Sequence, residues 1–224
     1  MEKKKVGVIH TFLYSVEDLK KLFAELLPEV EMINIIDDSL LREVLKNGGP
    51  TPAVIRRITR YATELEALGC SAILNQCSSV GEVVDLAAKS VSVPYVKVDE
   101  PMAREAVATG ARIGVVATAY TTLGPSVRLV ESMARKLGKD VKVNPCFAEG
   151  AYDALLNEGN KKKHDEIVMA TIDKACAEND VVCLAQGSMI GLVDVCKSKR
   201  VPVLHSFRSG VAQLRDVLSL DQVV

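Results

Sequence analysis

An α/β protein of two pseudo-symmetric lobes is what the sequence predicts, each lobe a mostly parallel four-stranded sheet flanked by helices, with a ligand cleft between them. Three observations predict it. Segments recur in order at nearly one spacing: Val6-Gly7-Val8-Ile9-His10-Thr11 returns as Ile113-Gly114-Val115-Val116-Ala117-Thr118 at an offset of 107 residues. Gln76, Ser78 and Gly81 return as Gln186, Ser188 and Gly191 at 110, and Val93-Pro94-Tyr95-Val96 as Val201-Pro202-Val203-Leu204 at 108. Halves of that size are whole supersecondary domains, too long for solenoid units. The strand-like runs are nearly continuous and rich in valine and isoleucine, as in parallel strands buried on both faces. They alternate with segments whose apolar residues fall at helical spacing.

Taken in order, Val6–His10 is the first strand, and Ser15, with Glu17 and Asp18 behind it, caps a helix that runs to about Leu27, where Pro28 stops it. Val30–Ile36 is the second strand; Asp37-Asp38-Ser39 starts a short helix to about Lys46. The turn cluster 47–52 then leads into helix Ala53–Leu68, with Ile55, Ile58, Ala62, Leu65 and Leu68 on one side and Arg56, Arg57 and Arg60 facing solvent, the alternative being an arginine that reaches a substrate carboxylate. Ala72–Gln76, helix Val80–Lys89 and strand Pro94–Val98 complete the first half. The second half replays it: helix Pro101–Ala108, strand Arg112–Ala117, helix Thr122–Leu137, strand Val141–Pro145, helices at 151–157 and 164–177, and strand Val181–Ala185. Helix Ile190–Cys196, strand Val201–Leu204 and helix Ser209–Leu218 close the chain.

Composition narrows the function classes. The 224 residues are 48% hydrophobic and 25% charged with a net charge of −1, ordinary for a globular protein and without the basic excess that nucleic acid or an anionic membrane would require. The two triple-lysine runs, 3–5 and 161–163, are short and separate and read as solvated ends of elements. Six cysteines without a CxxC pair argue against a zinc site and a disulfide framework and fit a reducing cytoplasm. GxGxxG, GxxxxGK[ST] and HExxH are all absent, so neither cofactor nor metal is expected.

The chemistry concentrates where the third apolar run stops at Asn75-Gln76-Cys77-Ser78-Ser79. In an open α/β sheet the carboxyl ends of the strands face the ligand crevice. Cys77 at that mouth, beside a helix start, is expected to have a lowered pKa and to act as a base or nucleophile; the plain alternative is a small packing residue. Thr118, Thr121 and Thr122 follow the strand that replays the first. Their hydroxyls could hold a carboxylate together with Ser78 and Ser79, or simply cap a helix. Gly187 and Ser188 carry the same double reading. His10 and His205 end the first and last strands and could supply an acid or base, or serve as structural histidines. His164 starts a surface helix and reads as inert; Cys146 is a weaker candidate thiol, and Cys70, Cys176, Cys183 and Cys196 read as packing residues.

Across nearly its whole length the chain resembles the cofactor-independent aspartate/glutamate/hydantoin racemase superfamily. That resemblance implies two α/β lobes, here 1–99 with 206–224 and 100–205, and one catalytic cysteine on each side of the cleft. The motifs like Cys-Asn-Thr and Cys-Ala-Gly-Met of such racemases are matched by Cys77-Ser78-Ser79 and by Gln186-Gly187-Ser188-Met189, so the second cysteine is absent. Aligning on Met189 puts Gln186 at its place, whereas the internal repeat puts Gly187 there. The expectation is an isomerase of a small carboxylate or amino-acid derivative with Cys77, Gln186 and His10 at its centre, with no nucleic-acid or membrane partner and with a homo-oligomer left open. A one-cysteine lyase or decarboxylase of the same superfamily and a non-catalytic carboxylate-binding protein are the alternatives.

Overall fold

A computed structural model describes residues 3–220. The chain divides into two compact units, one formed by residues up to Val98 together with those from Phe207 onward, the other by Asp99–Ser206. Residues 1–2 and 221–224, which the sequence assigns to the first lobe, lie outside the described residues.

The first unit contains strands β1 (Lys5–His10), β2 (Glu31–Ile36), β3 (Cys70–Asn75) and β4 (Tyr95–Lys97), with helices α1 (Val16–Leu26), α2 (Asp38–Asn47), α3 (Pro52–Ala67) and α4 (Gly81–Ala87). The strands are all parallel in the order β2-β1-β3-β4. The second unit has α5 (Glu100–Thr109), β5 (Arg112–Ala117), α6 (Tyr120–Lys136), β6 (Lys142–Phe147), α7 (Ala151–Leu156), α8 (Lys161–Glu178), β7 (Val181–Leu184), α9 (Val193–Cys196) and β8 (Val203–His205). Its parallel order, β6-β5-β7-β8, repeats that of the first. Helix α10 (Ser206–Val217) then returns to the first unit.

Local chemistry sets the helix limits. Asp37 accepts the Ser39 N–H at 3.1 Å to start α2, and Gly48, at a φ of 70° open to a residue without Cβ, ends it. Thr51 accepts the Val54 N–H at 3.2 Å, with Pro52 in the first turn, and starts α3. The apolar stripe Val54, Ile58, Ala62 and Leu65 is then buried against Ile9, Leu40, Val44 and Ile73. Leu65 reaches β1 because Gly7 has no side chain: a Cβ there would stand 2.6 Å from Leu65 Cδ1.

Four expectations need correction. Ser15 stands before α1, but its hydroxyl donates to the Phe12 carbonyl at 3.3 Å and does not cap the helix. Arg57 is half-buried and not free in solvent: it donates to Asp37 at 2.9 Å and Glu43 at 2.6 Å, and the Tyr61 hydroxyl donates to the same Asp37 at 2.7 Å, so α3 is tied to the start of α2. Only the β1–β3 and β5–β7 pairs are fully enclosed, whereas β2 and β6 end their sheets half-buried. His164 is buried, with Nδ1 2.8 Å from Asp165, because it lies on the inward face of α8.

In the first unit α10 buries Phe207, Val211 and Leu214. Gln213 donates to the Lys97 carbonyl at 2.9 Å and Arg215 to the Leu26 carbonyl at 2.7 Å. Gly210 lies so close to the Val98 carbonyl that a Cβ would overlap it.

Candidate active site

In each unit the strand order reverses direction between the first and third strands, the place where open α/β sheets present ligand-binding loops. In the first unit those loops begin at Thr11, after β1, and at Gln76, after β3.

Cys77 adopts extended backbone (φ −113°, ψ 117°) and precedes a single 3-10 turn, Ser78–Val80, that runs into α4. Asn75 fixes the bend by donating its side-chain N–H to the Cys77 carbonyl at 2.8 Å, and the Gln76 N–H continues the sheet to Ile9 O at 3.2 Å. The expected lowering of the thiol's pKa is not what the surroundings produce. Burial pushes Cys77 up, because a sulfur anion there loses its water, and this outweighs the groups that favour the thiolate: Thr11, the N–H and hydroxyl of Ser79, and the Val80 N–H. The resting group is therefore a thiol, already supplied with the donors that its anion would need.

His10 is fully buried, with Nε2 2.8 Å from Asn34 Oδ1. Desolvation lowers its pKa against the opposing effect of Asn34, so it is neutral at pH 7. Its Nδ1, together with Asn75 Oδ1 and Gln76 Oε1, is buried without a hydrogen-bond partner among the described residues. Ser78 and Ser79 are buried in the same turn.

The second unit repeats this backbone with different side chains. Ile9 pairs with Asn75 in one sheet and Val116 with Leu184 in the other. The next N–H groups, of Gln76 and Ala185, donate to Ile9 O and Val116 O. The residue after each is Cys77 in one unit and Gln186 in the other, and each precedes a 3-10 turn. Register therefore makes Gln186, and not Gly187, the counterpart of Cys77.

Gln186 is pinned at both ends of its residue. Its Oε1 accepts the Thr118 N–H, and the Thr118 hydroxyl at 3.0 Å. Its backbone carbonyl accepts the Met189 N–H at 3.1 Å and, at 3.1 Å, the Nε2–H of His205. A carbonyl cannot donate, so His205 is the Nε2–H tautomer; burial lowers its pKa to about 4, and it is neutral at pH 7. Neither histidine is an acid held ready at neutral pH. Thr118 does not cap α6, which begins after Ala119. Thr122 is buried in the first turn, Thr121 Oγ1 is buried without a partner among the described residues, and Gly187 and Ser188 are half-buried in the 3-10 turn.

Thus the first unit gathers Cys77, Ser78, Ser79 and His10, and the second Gln186, Gly187, Ser188, Thr118 and His205. Sequence reasoning missed Thr11, Asn34 and Asn75. Thr11 alone carried a readable signal, as the repeat partner of Thr118. Cys146, half-buried on β6, directs its thiol to the Asn144 carbonyl at 3.5 Å, and Cys70, Cys176, Cys183 and Cys196 are buried. Among the described residues no group of three or more His, Cys, Asp or Glu could hold a metal ion.

A sequence model described as Asp/Glu/Hydantoin racemase matches residues 14–214. The chain belongs to that racemase family. No curated protein matches the sequence. Solved racemases share the fold at low identity. A glutamate racemase of Bacillus anthracis superposes with a TM-score of 0.72 at 16% identity, over 98% of this chain and 83% of its own. The aspartate racemase of Picrophilus torridus gives 0.72 at 13% identity, over 98% and 96%. An allantoin racemase of Klebsiella pneumoniae gives 0.68 at 15% identity, over 99% and 91%. Racemase-family membership and the two parallel α/β sheets thus agree.

Proposed function

We propose that this chain is a cofactor-independent isomerase-type enzyme acting on a small carboxylate or amino-acid derivative, with Cys77 as the group that takes the proton or attacks the substrate. The observation that carries this reading is one thiol at the sheet's reversal point with groups that favour its ionised form: Ser79 and Val80, and Thr11, whose buried hydroxyl has no hydrogen-bond partner among the described residues and is open to the thiolate. Proton transfer from carbon needs a base that is an anion when the substrate is in place, and a half-buried thiol with donors beside its anion meets that need. Ser78, Ser79, Thr121, Thr122, Gly187 and Ser188 supply N–H and hydroxyl groups to the substrate's carboxylate, and His10, held by Asn34, offers its Nδ1, unpartnered among the described residues, as an acceptor.

The two lobes, 1–99 with 206–224 and 100–205, act on one substrate in this proposal. A cytoplasmic setting accords with six free cysteines. No helix among the described residues is long and apolar enough to cross a membrane.

The test is solvent deuterium entering the α-carbon of L-aspartate, L-glutamate and 5-substituted hydantoins, followed by proton NMR. Wild-type protein should exchange at least one of them, and Cys77→Ala should lose on the order of 100-fold or more, the usual scale for a general base. Equal rates in the two proteins would remove Cys77 from the mechanism. Gln186 in the counterpart position favours a second reading, a protein that binds the carboxylate without chemistry; ligand-dependent stabilisation without exchange would select it.

A further inference from the structure

Among the described residues the side chain of Gln186 is engaged at its oxygen end. The Thr118 backbone N–H can only donate, so the atom it meets must be the amide oxygen, and this fixes which way the amide is turned. Both hydrogen bonds of this side chain among the described residues fall on its oxygen, which leaves the amide NH2 available on a half-buried residue at the mouth of its sheet. Three further contacts hold the residue in place: the Thr118 hydroxyl on the same oxygen, and the His205 and Met189 donors on its carbonyl. By register it occupies the position that Cys77 has in the other sheet.

We propose that Gln186 is a specificity-determining residue that holds an acceptor oxygen of the substrate, a carboxylate or carbonyl oxygen, through its NH2 group, in place of a second proton-transferring side chain. This rests on the reading of Cys77 given above. An amide neither gives up nor takes a proton at accessible pH, so all proton traffic passes through Cys77. The resting thiol first gives its proton to solvent, and the thiolate then takes the α-proton: an S–H bond forms, the C–H bond breaks, and its electron pair moves into the adjacent carbonyl system. After the S–H exchanges with solvent, the same sulfur returns a deuteron to the same face, the C–D bond forms, and the thiolate is regenerated. The product is labelled and has the starting configuration. At this α-carbon the chain then catalyses exchange with retention and not racemisation, so its isomerase reaction is one that leaves that centre's configuration unchanged.

Binding and stereochemistry separate this inference from the reading beneath it. Titration calorimetry of L-aspartate, L-glutamate and a 5-substituted hydantoin should show the best-bound probe weakened about 10- to 100-fold in Gln186→Met, which keeps length and loses the donor, the range expected for one hydrogen bond to a charged acceptor. An unchanged Kd in that variant overturns the proposal whatever the exchange assay gives. Failure of every probe to bind wild-type protein defeats the carboxylate site itself, and this inference with it. Circular dichroism checks that each variant is folded.

In deuterium oxide, wild-type protein should label its substrate while enantiomeric excess stays constant, and Gln186→Cys should couple labelling to loss of enantiomeric excess. Gly187→Cys, one residue out of register, should not. Wild-type inversion at the rate of exchange would overturn the proposal, as would racemisation restored by Gly187→Cys and not by Gln186→Cys.

Discussion

At the scale of single residues, the site is governed by desolvation. Cys77, His10 and His205 all lie where burial disfavours their charged forms, so each rests neutral at pH 7. The effect on His205 is large enough to appear in stability. Its pKa is about 4 in the folded chain against roughly 6.5 when unfolded, so between those values the unfolded chain binds more protons. Its contribution is complete above pH 6.5 and is lost as pH falls towards 4, amounting to about 3 kcal/mol by the lower limit. His205→Gln keeps a donor for Gln186 without a titrating ring. Urea melts of the two proteins should therefore show a flatter pH dependence for the variant between pH 6.5 and 4, and parallel profiles would remove His205 from the acid response. Cys77, Ser79 and Gln186 were all legible at this scale from the turn composition and the repeat. The sign of the Cys77 shift was not, because sequence shows a nearby helix start but not how much water the fold removes. Nor was the Gln186 contact with Thr118, which joins residues 68 apart in the chain.

Among elements, strands were easier to read than the faces of helices. Apolar runs located the eight strands of the described residues to within a few residues: β1, β3, β5 and β7 are enclosed and have no polar side to disguise them, and the half-buried edge strands keep enough apolar residues to be read. Arg57 and His164 were misread because a polar residue on a helix declares no direction. Arg57 has two carboxylates to reach, Asp37 just before α2 and Glu43 on it, and His164 turns inward on α8. Glycines show the same dependence on neighbours. An alanine in a helix ordinarily improves on glycine by up to about 1 kcal/mol. At Gly210 it should instead cost about 1–3 kcal/mol, since the added methyl meets the backbone of Val98 and forces α10 away. Gly191 has open space around its missing Cβ, so Gly191→Ala should be neutral or slightly stabilising. Thermal unfolding of both variants measures the contrast, and equal changes would mean that α10 does not bear on Val98 as described.

For the whole molecule, duplication was the most informative signal, since three recurrences at nearly one offset led to two sheets of identical order. The return of α10 to the first unit has no local signature. It has a consequence for synthesis. Residues 99–206 are continuous and can fold as soon as they leave the ribosome, whereas the first unit, although made first, lacks Phe207, Val211 and Leu214 until the end. A nascent chain stalled with residues 1–205 outside the exit tunnel should therefore protect the later-made sheet from protease and leave the earlier one open to cleavage and chaperone capture. Equal protection of both would mean that the first sheet closes without its last helix. The half carrying Cys77 thus begins first and matures last, and a truncated product never acquires a finished thiol site.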